Sequence, residues 1–442
     1  MRSSDFVSMS GMRRRTFLQT AVLGGPALQL GKATPNEKFV LACMGIRGRA
    51  GHLLKGFAAM PDVEIAYLCD VDSRLFATGL QMVETSQRRA PKTVQDFRRA
   101  LEDKSVDALI VGTPDHWHAI PTILGCMAGK HVYVEKPCSH NVREGQVMVA
   151  AARKYKRIVQ VGIQSRIGRH FAEAMEFLRS GALGKVVMAR GWETAKQNAV
   201  TRQPDGAVPP GVDYDLWMGP APKRPFNPLR FHGNWKWLFD YGTGDLGNDG
   251  VHRIDYARRG LEAALAAHGK TLPEWPHAVS ASGGKLFFDD AQEWPDTLIA
   301  TWEYPGALLN YEMRIWTPHA MEGEEEGAAI YGENGTVIIS NTSWRAVGSK
   351  GKILNPGTQS TNEQHDPAHK RNFLDSIRDN KLPACDIAIG HVASSLTHLG
   401  NIAWRVSRKL RFDPGTQSFP GDEEANRLLT RTYREPWGLP KV

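Results

Sequence analysis

At 442 residues, and with about 100–200 residues to a typical domain, the chain has room for two or three domains. Hydrophobic residues make up 41% and charged residues 23%, which excludes a disordered chain, a collagen-like fibre and a coiled-coil rod. No run approaches about 18 consecutive apolar residues, so a multi-span membrane protein is excluded as well. Half of the formal net charge of +8 comes from residues 1–33, through Arg2, Arg13, Arg14, Arg15 and Lys32 against Asp5. The densest charge cluster in the remainder is acidic (Glu322, Glu324, Glu325, Glu326), so no nucleic-acid partner is expected. The five cysteines form no C-x-x-C pair, and neither a disulfide framework nor a metal site is expected.

Residues 1–33 read as an address. Arg13, Arg14 and Arg15 precede Phe17-Leu18, an apolar stretch covers 21–30, and Ala33 closes it. That is a secretory signal too short for a stable membrane anchor. Its arginines resemble a twin-arginine (Tat) signal, which implies export of an already folded protein to the periplasm by the Tat machinery.

From residue 38 the chain alternates strand and helix. Apolar runs of buried-strand length fall at 39–45, 63–69, 106–112, 131–135 and 158–162, with helical spacing at 51–60, 118–128 and 142–155 between them. Single helices between strands imply right-handed crossovers and a parallel, doubly wound sheet over 34–160. The turn after the first strand, Gly45-Ile-Arg-Gly48-Arg-Ala-Gly51, suits close backbone approach to a pyrophosphate at a helix N-terminus, with Arg47 and Arg49 as added phosphate contacts. Asp70 ends the second strand, where a carboxylate accepts hydrogen bonds from a ribose and repels a 2′-phosphate, so NAD is expected rather than NADP.

Gly112-Thr113-Pro114, His118 and Gly129-Lys-His-Val-Tyr-Val-Glu135-Lys136-Pro137 resemble the Gfo/Idh/MocA oxidoreductase family. The resemblance continues through residues 161–166 (Gln164 and Arg166 among them) and the glycine-rich histidine motif at 242–255, while 212–222 and 398–403 resemble an exported, sugar-handling branch. It implies a Rossmann domain (34–160) followed by an α/β domain with a large, mostly antiparallel open sheet (161–442). Strands at 186–192, 279–288, 297–303, 308–315 and 328–339, with turn residues between them, agree with that expectation.

The resemblance also places chemistry. Lys136 lies beside the nicotinamide and contacts the reacting hydroxyl; His252 bonds the same hydroxyl, and Asp255, one helical turn on, is expected to orient its ring. Thr113, Pro114, His118 and Glu135 complete the expected cofactor wall. Many relatives carry aspartate four residues before this histidine. Here Asn248 stands there, so acid–base work falls to Lys136, His252 or Asp249. Trp217, Trp235, Trp237, Phe239 and Tyr241 crowd one segment with Arg230, His232, Asp240 and Asp245, a composition suited to carbohydrate rings. The expected substrate wall is Gln164, Arg166, Trp235, Trp237, Asn248, Asp249, His252 and Asp255, with His391 and His398 as further candidates.

The expected activity is hydride transfer between tightly bound NAD and a sugar hydroxyl carbon, C3 for instance. One alternative is a redox-neutral, NAD-dependent glycosidase acting through a transient ketone. Another is a non-catalytic periplasmic sugar-binding protein on the same fold. An open sheet with one apolar face to cover implies a homo-oligomer.

Overall fold

The computed structural model describes residues 38–442; the expected signal at 1–33 lies outside the described residues. Six strands, β1 (Phe39–Met44), β2 (Val63–Cys69), β3 (Lys92–Val94), β4 (Ala108–Val111), β5 (His131–Val134) and β6 (Val159–Val161), form a wholly parallel sheet in the order β3-β2-β1-β4-β5-β6. The four inner strands are apolar because helices cover both faces, and the strand order reverses between β1 and β4. Ligands bind such sheets at that reversal, outside the carboxyl ends of the strands. The glycine-rich turn, Asp70, Thr113 and Glu135-Lys136 all follow the ends of these strands.

The second sheet has nine strands: β7 (Val186–Glu193), β8 (Ala278–Gly284), β9 (Thr297–Tyr304), β10 (Ala307–Arg314), β11 (Glu326–Gly332), β12 (Gly335–Ile339), β13 (Trp344–Val347), β14 (Ile353–Asn355) and β15 (Leu410–Arg411). Only β7 and β10 pair in parallel. The helix Gly250–Ala266 lies against β7, and a Cβ at Gly191 would meet the Arg253 backbone at 2.9 Å, so a side chain there would push the helix off the sheet.

Two expectations about this half change. The run at 279–288 stops pairing at Gly284, because the buried Asp296 carboxylate collects the N–H groups of Leu286, Phe287 and Phe288 at 3.1, 2.9 and 2.8 Å. Residues 328–339 form a hairpin turning at Glu333 and Asn334, in keeping with the turn chemistry of Gly332 and Asn334-Gly335. The outer face of β9 and β10 exposes Ile299 and Leu308, yet it also carries Arg190 and Arg314 on Glu312 and an Asn310–Thr301 hydrogen bond. That face is mixed rather than apolar.

The boundary near residue 160 is not a boundary of the core. Phe373 and Leu374, from the helix Asn362–Asp379, pack with Leu41, Phe57 and Tyr133 of the parallel-sheet half. The Val161 N–H donates to the Cys385 carbonyl at 2.9 Å. All five cysteines are buried and free.

Candidate active site

The helix Gly48–Ala58 starts directly after β1, and its N-cap residue, Arg47, leaves the first-turn N–H groups without a side-chain cap. Uncapped amides at a positive helix end attract an anion. Gly45 has φ +95°; a Cβ on it would lie 2.9 Å from the Ala50 methyl, and one on Gly112 would lie 2.7 Å from the same methyl. Backbone thus meets backbone around the turn as a bound pyrophosphate requires, and the residues fit a dinucleotide. Gly45, Arg47, Gly48, Asp70, Thr113, Pro114, Glu135 and Lys136 line one cavity of about 380 Å³. Arg47 is exposed at its mouth and makes no ion pair among the described residues.

Asp70 accepts from the Ile46 N–H and the Asp72 N–H, both at 3.0 Å. It therefore fixes the glycine-rich turn as well as facing the cavity. Burial raises its carboxyl to about 6, against those two hydrogen bonds.

Two expected cofactor contacts are also tied to protein groups. Arg49 lines the cavity and reaches Glu135 at 2.8 Å and Asp366 at 2.5 Å, tying β5 to the helix Asn362–Asp379. His118 is fully buried, with Nδ1 2.6 Å from the Pro137 carbonyl and Nε2 2.8 Å from the Thr113 carbonyl. It staples the two strand-end loops together from behind.

Lys136 reaches into the second half. Its Nζ donates to the Asn248 backbone oxygen at 2.7 Å and to Asn248 Oδ1 at 2.6 Å. Asparagine at this position supplies a neutral acceptor that aims the ammonium. His252, in the first turn of the helix Gly250–Ala266, is half-buried, and its ring makes no hydrogen bond among the described residues. Burial first, then the charges of Lys136, Arg253 and Arg49, hold the imidazole well below its ordinary range. The ring is thus neutral with a nitrogen open to a donor, while the same burial and charges weaken it as a base, and it does not line the cavity.

The expected Asp255–His252 relay is absent. Asp255 pairs with Arg166 at 2.5 Å, both side chains only 5% exposed, and Arg166 also donates to the Ala384 carbonyl. This ion pair is a buried tie behind the site, and neither residue lines the cavity. Gln164 packs its amide against Arg49 and the Gly162 carbonyl and does not line the cavity either. Trp235 lines the cavity, whereas Trp237 is buried in the second core. Asp249 is half-buried next to Asp245 and Glu193; burial and neighbouring carboxylates push Asp245 well up, and burial above all takes Glu193 to about 7. His391 bonds Gln417 and Ser395, and His398 lies beside Ser139, both outside this cavity.

Sequence reasoning missed the roof. Residues 205–241 fold back over the end of the cavity beside Val71 and Asp72. The Ser73 N–H donates to the Gly211 carbonyl (3.0 Å), the Asp213 N–H to Val71 (2.9 Å) and the Trp117 indole to the Leu216 and Trp217 carbonyls. His232 Nε2 lies 2.8 Å from Asp72 Oδ2. Although burial works the other way, hydrogen bonds from Arg74 and His232 hold Asp72 down to about 2. Leu216, Trp217, His232 and Trp235 thereby join the lining. An aspartate two positions after Asp70 was the one visible signal.

Two family models match in succession: an oxidoreductase family, NAD-binding Rossmann fold, over residues 42–163, and the C-terminal α/β domain of the same family over 186–262 and 329–439. The chain belongs to the Gfo/Idh/MocA oxidoreductase family. Among curated relatives, it is 26% identical over 168 residues to a glycosyl hydrolase family 109 protein of Shewanella pealeana, covering 37% of each chain. It is 26% identical over 194 residues to the levoglucosan dehydrogenase of Pseudarthrobacter phenanthrenivorans, covering 43% of this chain and 42% of that one. The match thus spans less than half of either relative. The aldose-aldose oxidoreductase of Caulobacter crescentus superposes with a TM-score of 0.62 at 19% identity, over 85% of this chain and all of that one, which shows the shared fold.

Proposed function

We propose that this protein is an NAD-dependent oxidoreductase that moves hydride between nicotinamide and a hydroxyl-bearing carbon of a sugar or glycoside. The observation that carries the reading is Lys136 at the end of β5, lining the cavity and aimed by Asn248; His252 stands outside the lining, near enough for the Lys136 charge to act on its ring. Bound nicotinamide supplies a hydride acceptor at this edge of the sheet. His252 takes the hydroxyl proton on its free nitrogen, and Lys136 steadies the oxygen as negative charge grows on it. Trp235 offers a sugar its aromatic face.

The roof over residues 205–241 supports a tightly held nucleotide, and the arginines near residue 14 support Tat-dependent export with that nucleotide aboard. The periplasm is the resulting location, and a homo-oligomer forms where a second copy packs on the mixed outer face of β9 and β10. The experiment is to denature purified protein, identify any released nucleotide by mass, and then follow keto-sugar formation by wild type and Lys136→Ala. Stoichiometric NAD(H) with activity lost in the variant is expected; full activity in Lys136→Ala overturns the reading.

The glycosyl hydrolase family 109 relative favours a second reading, a redox-neutral glycosidase with the same first step. It predicts free sugar release from a glycoside with no net NADH.

A further inference from the structure

A second cavity, of about 340 Å³, shares no lining residue with the first. Its walls come from the loop after β5, the turn before residue 244, the helix Ile387–Arg405 and residues 427–432. Arg405, Arg427 and Arg431 converge on it. The Arg405 guanidinium stacks 4.4 Å over the Phe239 ring, and Arg431 is held by His140 Nδ1 and the Asp240 carbonyl at 3.3 and 3.1 Å. Arg427 has neither an ion pair nor a side-chain hydrogen bond among the described residues. The single carboxylate in the wall, Asp240, is already engaged by Arg224 at 2.8 Å. The cavity is therefore a cationic basin with one guanidinium uncommitted.

An independent feature marks it as more than a basic surface. Asn401 is 4% exposed; its Nδ2 donates to the Thr243 carbonyl at 2.8 Å, while its Oδ1 has no partner among the described residues. A buried amide oxygen without a donor calls for a hydroxyl or water. Between the arginines and this acceptor, Trp294 and Phe239 meet edge to face at 4.6 Å and offer an apolar wall. Guanidinium, lone acceptor and aromatic face match carboxylate, hydroxyl and C–H face.

We infer that this cavity binds a small hydroxylated carboxylate, a sugar acid, with its carboxylate on Arg427 and Arg405 and a hydroxyl on Asn401 Oδ1. An open-chain aldonate and a ring uronate share that chemistry. Thr243, in the same wall, donates its hydroxyl to Asp115 of the first cavity at 2.8 Å, so the two cavities are separated by one side chain.

The test is calorimetric titration of the purified full chain with sodium D-gluconate and sodium D-glucuronate, beside sodium phosphate and D-glucose. It needs no turnover, so its outcome is independent of the sugar-oxidation reading. At least one acid is expected to bind tenfold or more tighter than phosphate or glucose, with Arg427→Ala and Asn401→Ala each weakening it tenfold or more and Lys136→Ala leaving it unchanged. Arg427 is exposed, so that variant reports binding even if the Asn401 change disturbs folding. The preference for gluconate or glucuronate identifies the source. Three results overturn the inference: no binding of either acid, phosphate binding as tightly as the acids, or binding that survives Arg427→Ala and disappears with Lys136→Ala.

Discussion

Lys136 Nζ and Asn248 Oδ1 lie 2.6 Å apart across 112 positions of sequence, joining the parallel sheet to the turn that carries His252. This bond aims the lysine without neutralising it. An Asn248→Ala variant keeps only the backbone acceptor and is expected to lose about 10- to 100-fold in kcat/KM, the scale of a hydrogen bond to a charged group. Lys136→Ala should lose more, about 100- to 10,000-fold. Steady-state oxidation of a sugar by both variants checks the ranking, and equal losses would contradict it.

Asp70 makes nucleotide binding depend on pH. Its carboxyl titrates near 6 rather than 3.8, because burial favours the neutral form. The folded protein therefore holds a proton that the unfolded chain has released between those values. Stability falls as pH rises through that window, by about 2–3 kcal/mol for this group. Ribose recognition runs the other way, since only the carboxylate accepts two hydroxyls. NAD affinity should be roughly tenfold weaker at pH 5 than at pH 7, following the ionised fraction. In Asp70→Asn that dependence should flatten, as read by fluorescence titration.

Five of the six strands of the first sheet were legible because burial writes them as continuous apolar runs; the exposed edge strand β3, Lys-Thr-Val, carries no such run and was missed. Position along a helix was less informative. The i, i+3 spacing placed Asp255 near His252, but a residue 89 positions away, Arg166, takes the carboxylate. Trp235 and Trp237 looked equivalent; the short helix Asn234–Trp237 sends one to the cavity and the other to the core. His118 sat inside a matching motif, and only the two carbonyls facing its ring reveal a staple. Such choices depend on partners from distant elements, which local pattern does not encode.

The Asp72–His232 contact is expected to set how long nucleotide stays bound. His232 is held at φ +66°, in the left-handed region, by the fold of the roof. Removing its hydrogen bond to a charged partner through His232→Ala costs about 1.5–3 kcal/mol of closure. Nucleotide release should accelerate roughly 10- to 100-fold, with the melting point little changed. Stopped-flow displacement by excess unlabelled NAD measures the rate. A release rate equal to wild type would show that the roof opens elsewhere.

Arg166 and Asp255 allow a structural role to be separated from a chemical one. Each is 5% exposed, and cutting one leaves the other charged and alone in the interior. Asp255→Ala is therefore expected to cost about 3–5 kcal/mol, whereas the double change Arg166→Met with Asp255→Leu should recover much of that. Because Asp255 does not touch the His252 ring, the pH dependence of kcat should keep its shape in both variants. Thermal melts and pH–rate profiles of the two proteins decide the matter. A displaced profile at an unaltered melting point would restore Asp255 as the partner of His252, while a lowered melting point with an unmoved profile leaves it as the tie that holds the helix Gly250–Ala266 in register with residue 166.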